Sequence, residues 1–149
     1  MKKIAMIMAA AAMTLFIGCN KGGNAPEGSE VGKWYGFNAP EDKTDVAYVL
    51  DLKEDKSADF IISAWGERYQ GTYTYDGEVI TITYTAILSR PNAWDYQEEY
   101  GESPCAPENL YKHWSEAVPA SGTKEIAFTY TGNTGLIDVA NKPCYAERQ

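Results

Sequence analysis

Gly71-Thr72-Tyr73-Thr74-Tyr75-Asp76-Gly77-Glu78-Val79-Ile80-Thr81-Ile82-Thr83-Tyr84 places alternating large apolar and Thr side chains on either side of an Asp-Gly pair. Successive side chains on a strand point to opposite faces. Tyr73, Ile80, Ile82 and Tyr84 therefore share one face, and Thr72, Thr74, Thr81 and Thr83 the other. Asp-Gly between two such runs is a hairpin signal of the two-residue type. Closing the turn on Tyr75 and Glu78 sets Tyr73 opposite Ile80, Gly71 opposite Ile82 and Tyr69 opposite Tyr84.

The same logic extends outward. A Gly66-Glu67 loop sets Ala64 opposite Tyr69, Ile62 opposite Gly71 and Phe60 opposite Tyr73. A Gly132-Asn133 loop sets Phe128 opposite Ile137 and Ile126 opposite Val139. An odd loop at Asp55-Lys56-Ser57 sets Leu52 opposite Phe60 and Leu50 opposite Ile62. These turns agree on one apolar face: Val46, Tyr48, Leu50, Leu52, Phe60, Ile62, Tyr69, Tyr73, Ile80, Ile82, Tyr84, Ile126, Phe128 and Tyr130. Thr and acidic residues fill the other face, with Val49, Ile61, Trp65, Val79 and Ile87 as its apolar exceptions. The predicted strands are 31–37, 46–53, 58–65, 68–75, 78–88, 124–131 and 136–140. One polar and one apolar face predicts an all-β antiparallel meander curled into a barrel of about seven or eight strands. A two-sheet sandwich is the alternative. Mid-strand Gly71 suits the bend that closure needs.

Residues 89–123 interrupt the meander. Asn92 can cap a short helix with Asp95 at its third position and Gly101 ending it. Pro107 can open a second, on which Leu110, Trp114 and Ala117 or Val118 share a face until Pro119. So long a connection is usually functional or disordered. One reading is a lid that turns Trp94 and Trp114 towards a ligand; the other is a plug that completes the core.

At the N-terminus, Lys2 and Lys3 precede the apolar run Ile4–Ile17, then Gly18 and Cys19. This is the plan of a secretory signal peptide, too short to span a bilayer. Phe16-Ile17-Gly18-Cys19 resembles a bacterial lipobox, which makes residues 1–18 the signal peptide and Cys19 the acylated first residue. A cut after Ala25 would leave Pro26 first, which disfavours it. Residues 19–30 form a Gly-rich lipidated tether spanning roughly 20 Å, and 31–149 one domain. The expected location is the bacterial envelope, lipid-anchored. Asn20 is not the Asp that holds some lipoproteins at the inner membrane. Lys21-Gly22-Gly23 is not an acidic surface-export cluster. Both favour the outer membrane, facing the periplasm. In that oxidising setting Cys105 and Cys144 are expected to form a disulfide, closing about 40 residues and worth ~4 kcal/mol on the chain-entropy model.

The formal net charge is −8 and becomes two units more negative once Lys2 and Lys3 are removed. That charge repels nucleic acid, and no basic patch interleaves with the eleven Tyr and four Trp. No Gly-x-Ser-x-Gly elbow, His-Glu-x-x-His or phosphate-cradling Gly loop occurs. The single His, His113, lies on the predicted second helix as a surface or capping residue. Asp95, Glu98, Glu99 and Glu102 read as a solvated helix face. No metal, cofactor or enzymatic activity is expected.

Gly32-Lys33-Trp34 opens the first strand, and Gly71-Thr72-Tyr73 leads through Asp76-Gly77 into Val79-Ile80-Thr81-Ile82. Together these resemble the Gly-x-Trp signature and the strand plan of the lipocalin-like (calycin-type) lipoproteins found in Bacteroides-type bacteria. The likeness covers 31–88 well and 124–140 loosely. It implies a lipocalin-like barrel that binds a small apolar or amphipathic molecule, and a late Arg packed over the Trp, for which Arg148 is the candidate. The implied ligand contacts are the inward Tyr48, Tyr69, Tyr73, Tyr84, Phe128 and Tyr130, with Trp94 and Trp114 of the insert. The alternative is a filled barrel serving as a protein-interaction module, an envelope subunit or inhibitor.

Overall fold

A computed structural model describes residues 30–149. The expected signal peptide, acylated Cys19 and the tether as far as residue 29 lie outside the described residues. Eight antiparallel strands close into a barrel in chain order: β1 (Gly32–Phe37), β2 (Val46–Leu52), β3 (Ser57–Ile62), β4 (Glu67–Tyr75), β5 (Val79–Ser89), β6 (Val118–Thr131), β7 (Thr134–Asp138) and β8 (Pro143–Arg148). β8 returns to β1, with Trp34 opposite Arg148 and Gly36 opposite Ala146. Closure leaves no open sheet edge and rules out the sandwich. The predicted strands did not include β8. Its short run of small and charged residues carries little β propensity, and it is held by neighbours on both sides.

The predicted faces hold from residue 48 through residue 84, although several registers differ; Val46, predicted inward, instead joins the outer cluster, because the β1–β2 register shifts between Gly36 and Phe37. Tyr73 pairs with Ile82 rather than Ile80, and Gly71 with Tyr84. Leu50 pairs with Phe60, and Phe60 with Tyr69. These slips are even, so these side chains keep their faces; Tyr69, expected opposite Tyr84, pairs with Ile87, an odd shift that the bulges at Gln70/Gly71 and Tyr84/Ala86 absorb. The turns explain the slips. The Asp76 carboxylate accepts from the backbone N–H of Glu78 (2.9 Å) and Val79 (2.7 Å), which widens the hairpin. After β3 the chain coils, and Trp65 and Gly66 both donate to the Ile62 carbonyl. The β6–β7 hairpin keeps its predicted register, Phe128 opposite Ile137. A bulge between Tyr84 and Ala86 changes the parity of β5, so Ile87 faces the interior and not the outside.

The interior is a continuous core running from Trp34, Phe128 and Ile80 through Leu50, Phe60 and Ile82 to Tyr48, Ile62 and Tyr69. Fully burying such side chains stabilises by ~1.5–3 kcal/mol each.

Residues 90–117 do not plug the barrel: Leu110 and Trp114 pack on the outside of its wall, while Ala93, Ser103 and Cys105 reach the rim of one end. α1 (Ala93–Tyr100) has the expected ends: Asn92 Oδ1 accepts from the Trp94 and Asp95 N–H groups, and Gly101 is left-handed (φ 72°). The second helix shrinks to a single 3-10 turn, Pro107–Asn109. Pro119 lies inside β6, which starts at Val118. Leu110 packs with Phe37, Val46, Val49 and Ile61 in a second apolar cluster flanked by Tyr35 and Trp114. Val49 and Ile61 thus point outward as predicted, yet are wholly buried by the insert. Apolar side chains on the outer wall gave the insert a place to dock.

Cys105 and Cys144 are separate free thiols, too far apart for a disulfide. The reason is topological. Cys144 belongs to the barrel interior, while Cys105 comes from the insert, with the Asn38–Asp45 pair beside both.

Candidate functional site

The two ends of the barrel differ. At one end the indole of Trp34 is wholly buried, edge-on to Phe128 (centroids 5.0 Å), and Arg148 lies over it with its guanidinium carbon 4.5 Å from the ring centroid. Trp34 Nε1 donates to the Glu30 carbonyl (2.9 Å). The Glu30 carboxylate accepts from Lys56 Nζ (3.1 Å) and Tyr73 Oη (3.2 Å). Burial alone would raise the Glu30 carboxyl; its backbone hydrogen bond, Lys56 and Tyr73 outweigh this and hold it below its ordinary value. Glu30, assigned by the sequence to the tether, is part of the seal. Tyr73, Phe128 and Tyr130 belong to this closed end, Tyr130 stacked on Phe128 at 5.2 Å.

Above the seal a chain of rings fills the barrel. Tyr48, Phe60, Tyr69 and Tyr84 follow one another at centroid separations of 6.1, 6.3 and 5.0 Å. The Tyr69 hydroxyl donates to Glu67 (2.5 Å), and burial with that carboxylate pushes the phenol upward. Lys124 lies 4.5 Å from the centroid of the Tyr69 ring. It shares the inward parity of Ile126 and Phe128.

The other end carries a half-open cleft of about 370 Å³. Tyr48 and Ile62 form its floor, continuous with the ring chain below. Ala47, Ala64 and Ala93 add apolar wall, and Trp65, 49 % exposed, forms one side. The polar lining comes from three loops. Asn38 Nδ2 donates to Asp45 Oδ2 (3.1 Å), and the Cys105 thiol lies beside Asp45. Burial, reinforced by Asp45, pushes the Cys105 thiol up to about 12. It is therefore a neutral donor and not a thiolate nucleophile. Lys142 also lines the cleft, its Nζ 5.8 Å from the Trp65 ring centroid. Neither Asp45 nor Lys142 forms a salt bridge with a described residue.

The remaining predicted residues lie elsewhere. Trp94 is 77 % exposed, next to the cleft-lining Ala93. Trp114 sits on the outer wall, its Nε1 donating to the Leu110 carbonyl (2.9 Å) and its ring 4.3 Å from the Arg90 guanidinium. Arg90 is buried and organises the insert, donating to the carbonyls of Asn109 (2.8 Å), Pro104 (2.8 Å) and Lys112 (3.2 Å). His113 stacks on Tyr100 at 3.9 Å. Among the described residues no three His, Cys, Asp or Glu side chains converge as a metal site would require. Of the eight predicted contacts, only Tyr48 lines the cleft. Asn38, Asp45 and Lys142 were missed, because isolated polar residues in turns carry no sequence signal of convergence.

No family model, curated protein or solved structure matches this chain.

Proposed function

We propose that this chain is a lipid-anchored, lipocalin-like envelope protein that binds a small amphipathic molecule at its barrel mouth, without catalysing a reaction on it. One observation carries the reading: the barrel is sealed at the Trp34 end and bears a cleft of about 370 Å³ at the other, walled by Trp65 and floored by Tyr48 and Ile62. A volume in the range of small-ligand pockets, lined by aromatic and aliphatic groups with a few polar ones, is the usual form of such a site. Because side chains fill the barrel below, the ligand lies across the mouth and does not thread the axis. The lipobox-like Phe16-Ile17-Gly18-Cys19 supports the anchor, and Asn20 supports the outer membrane, facing the periplasm.

The test is fluorescence of the full chain titrated with dodecanoate, a haem and a sterol, compared with Trp65→Phe. A ligand-dependent change lost in that variant supports the reading. No change with any of the three, or a change that survives in Trp65→Phe, counts against it. Mass spectrometry of the native protein checks acylation of Cys19. A second reading, a protein-docking face, draws on the exposure of Trp94 beside the same rim. A partner lost in Trp94→Ser but kept in Trp65→Phe would favour it.

A further inference from the structure

The cleft holds one anion and one cation that do not satisfy each other. The Asp45 carboxylate accepts from one neutral donor, Asn38 Nδ2 (3.1 Å), with the neutral Cys105 thiol beside it. A carboxylate has room for further donors. Lys142 has no carboxylate partner among the described residues and sits beside the Trp65 ring. Lys142 closes the β7–β8 hairpin turn, its N–H donating to the Val139 carbonyl (3.2 Å) across left-handed Ala140 (φ 56°) and Asn141 (φ 64°), the usual two-residue hairpin geometry.

The field of the whole chain narrows the ligand further. At net charge −8 the protein repels a simple organic anion at long range. A lone cation would meet Asp45 favourably but also face Lys142. A molecule carrying both charges and no net charge avoids both penalties. The cleft that these two charged groups line also carries an apolar surface of Trp65, Ile62 and Tyr48.

We propose that the mouth cleft recognises an amino-acid-like zwitterion with an apolar or aromatic side group: its carboxylate on Lys142, its ammonium on Asp45 and its side group against Trp65. This rests on the ligand-binding reading above and specifies the ligand class. A peptide terminus, with only one of the two charges, fits less well.

The experiment is isothermal titration of the full chain with phenylalanine, phenylalaninamide and N-acetylphenylalanine. These share one side group and carry both charges, the cation alone and the anion alone. Phenylalanine is expected to bind about tenfold tighter than either, which corresponds to ~1.4 kcal/mol for the second charge. Lys142→Met, an exposed change that leaves the core untouched, should bring phenylalanine down to the level of its amide. Asp45→Asn should bring it down to the level of the N-acetyl compound. Equal binding of phenylalanine and either single-charge probe overturns the proposal. If dodecanoate perturbs Trp65 while none of the three probes binds, the zwitterion proposal falls and the amphiphile reading stands. If no probe of either kind binds, both fall.

Discussion

Arg148 lies across the indole of Trp34, 4.5 Å from its centroid, and the two residues are directly paired where the last strand meets the first. The guanidinium also donates to the Val31 carbonyl (2.6 Å). One side chain thus ties the seam of the barrel, covers its largest buried ring and fixes the chain where it enters β1. Arg148→Ala should lower unfolding free energy by ~1–3 kcal/mol, combining a desolvated cation–π contact with a charge-assisted hydrogen bond. Arg148→Lys should recover part of it, since the charge remains and the planar stack does not. Urea denaturation monitored by circular dichroism gives both values. An Ala variant as stable as the parent would show that β8 is held by its backbone pairing alone.

The seal also predicts a pH response. The Glu30 carboxyl is held below its ordinary 4.5. A group with a depressed folded value contributes stability that is present above the unfolded value and disappears as pH falls through the folded one. Acidification below about pH 4.5 should therefore weaken the closed end. Glu30→Gln should be less stable at neutral pH and lose stability less steeply on acidification. Melting temperatures at a series of pH values for both chains check this, and parallel curves would refute it.

Arg90 is buried against the carbonyls of three separate stretches of the insert. Arg90→Met keeps much of the apolar stem and removes the donors. The loss should be about 3 kcal/mol, because several buried carbonyls are left without partners. Amide exchange should rise first across residues 103–115, while the β3–β4 ladder stays protected. A uniform rise would mean that the insert and the barrel unfold as one unit.

The two cysteines make a chemical prediction. Cys105 is buried with its thiol pushed up to about 12, and Cys144 is buried and raised in the same direction by burial and then by Asp138 and Asp45. Both should react slowly with a disulfide reagent at pH 8 in the native protein and promptly in denaturant. A denatured, unreduced chain in which neither titrates would mean that they are bonded to each other.

The alternation around Asp76-Gly77 and the other turns identified the inward face from residue 48 through residue 84 and the meander, but not the outward turn of Val46. It left open which of several registers applies. Strand side chains repeat every two residues, so any even slip satisfies the same pattern. The choice was made by particular groups: the Asp76 carboxylate on the Glu78 and Val79 amides, and Gly66, where an added Cβ would overlap the Arg90 carbonyl. The pattern placed Val49 and Ile61 on the outward face and carried no sign that both are buried there. Their exposure depends on a segment more than 40 residues away in the chain, Leu110, which covers them.

By itself the sequence determined the strand positions up to the insert, the side of each strand that faces inward from residue 48 through residue 84 and the cap residues of α1, because these follow from local periodicity and local hydrogen bonding. The three-dimensional structure alone decided that β8 closes the ring, that Leu110 and Trp114 pack outside the wall, that Cys105 and Cys144 stay apart, and that Asn38, Asp45, Trp65 and Lys142 meet at one mouth. Such convergence depends on how strands far apart in the chain stagger around a closed barrel, and no residue carries that stagger in its own neighbourhood.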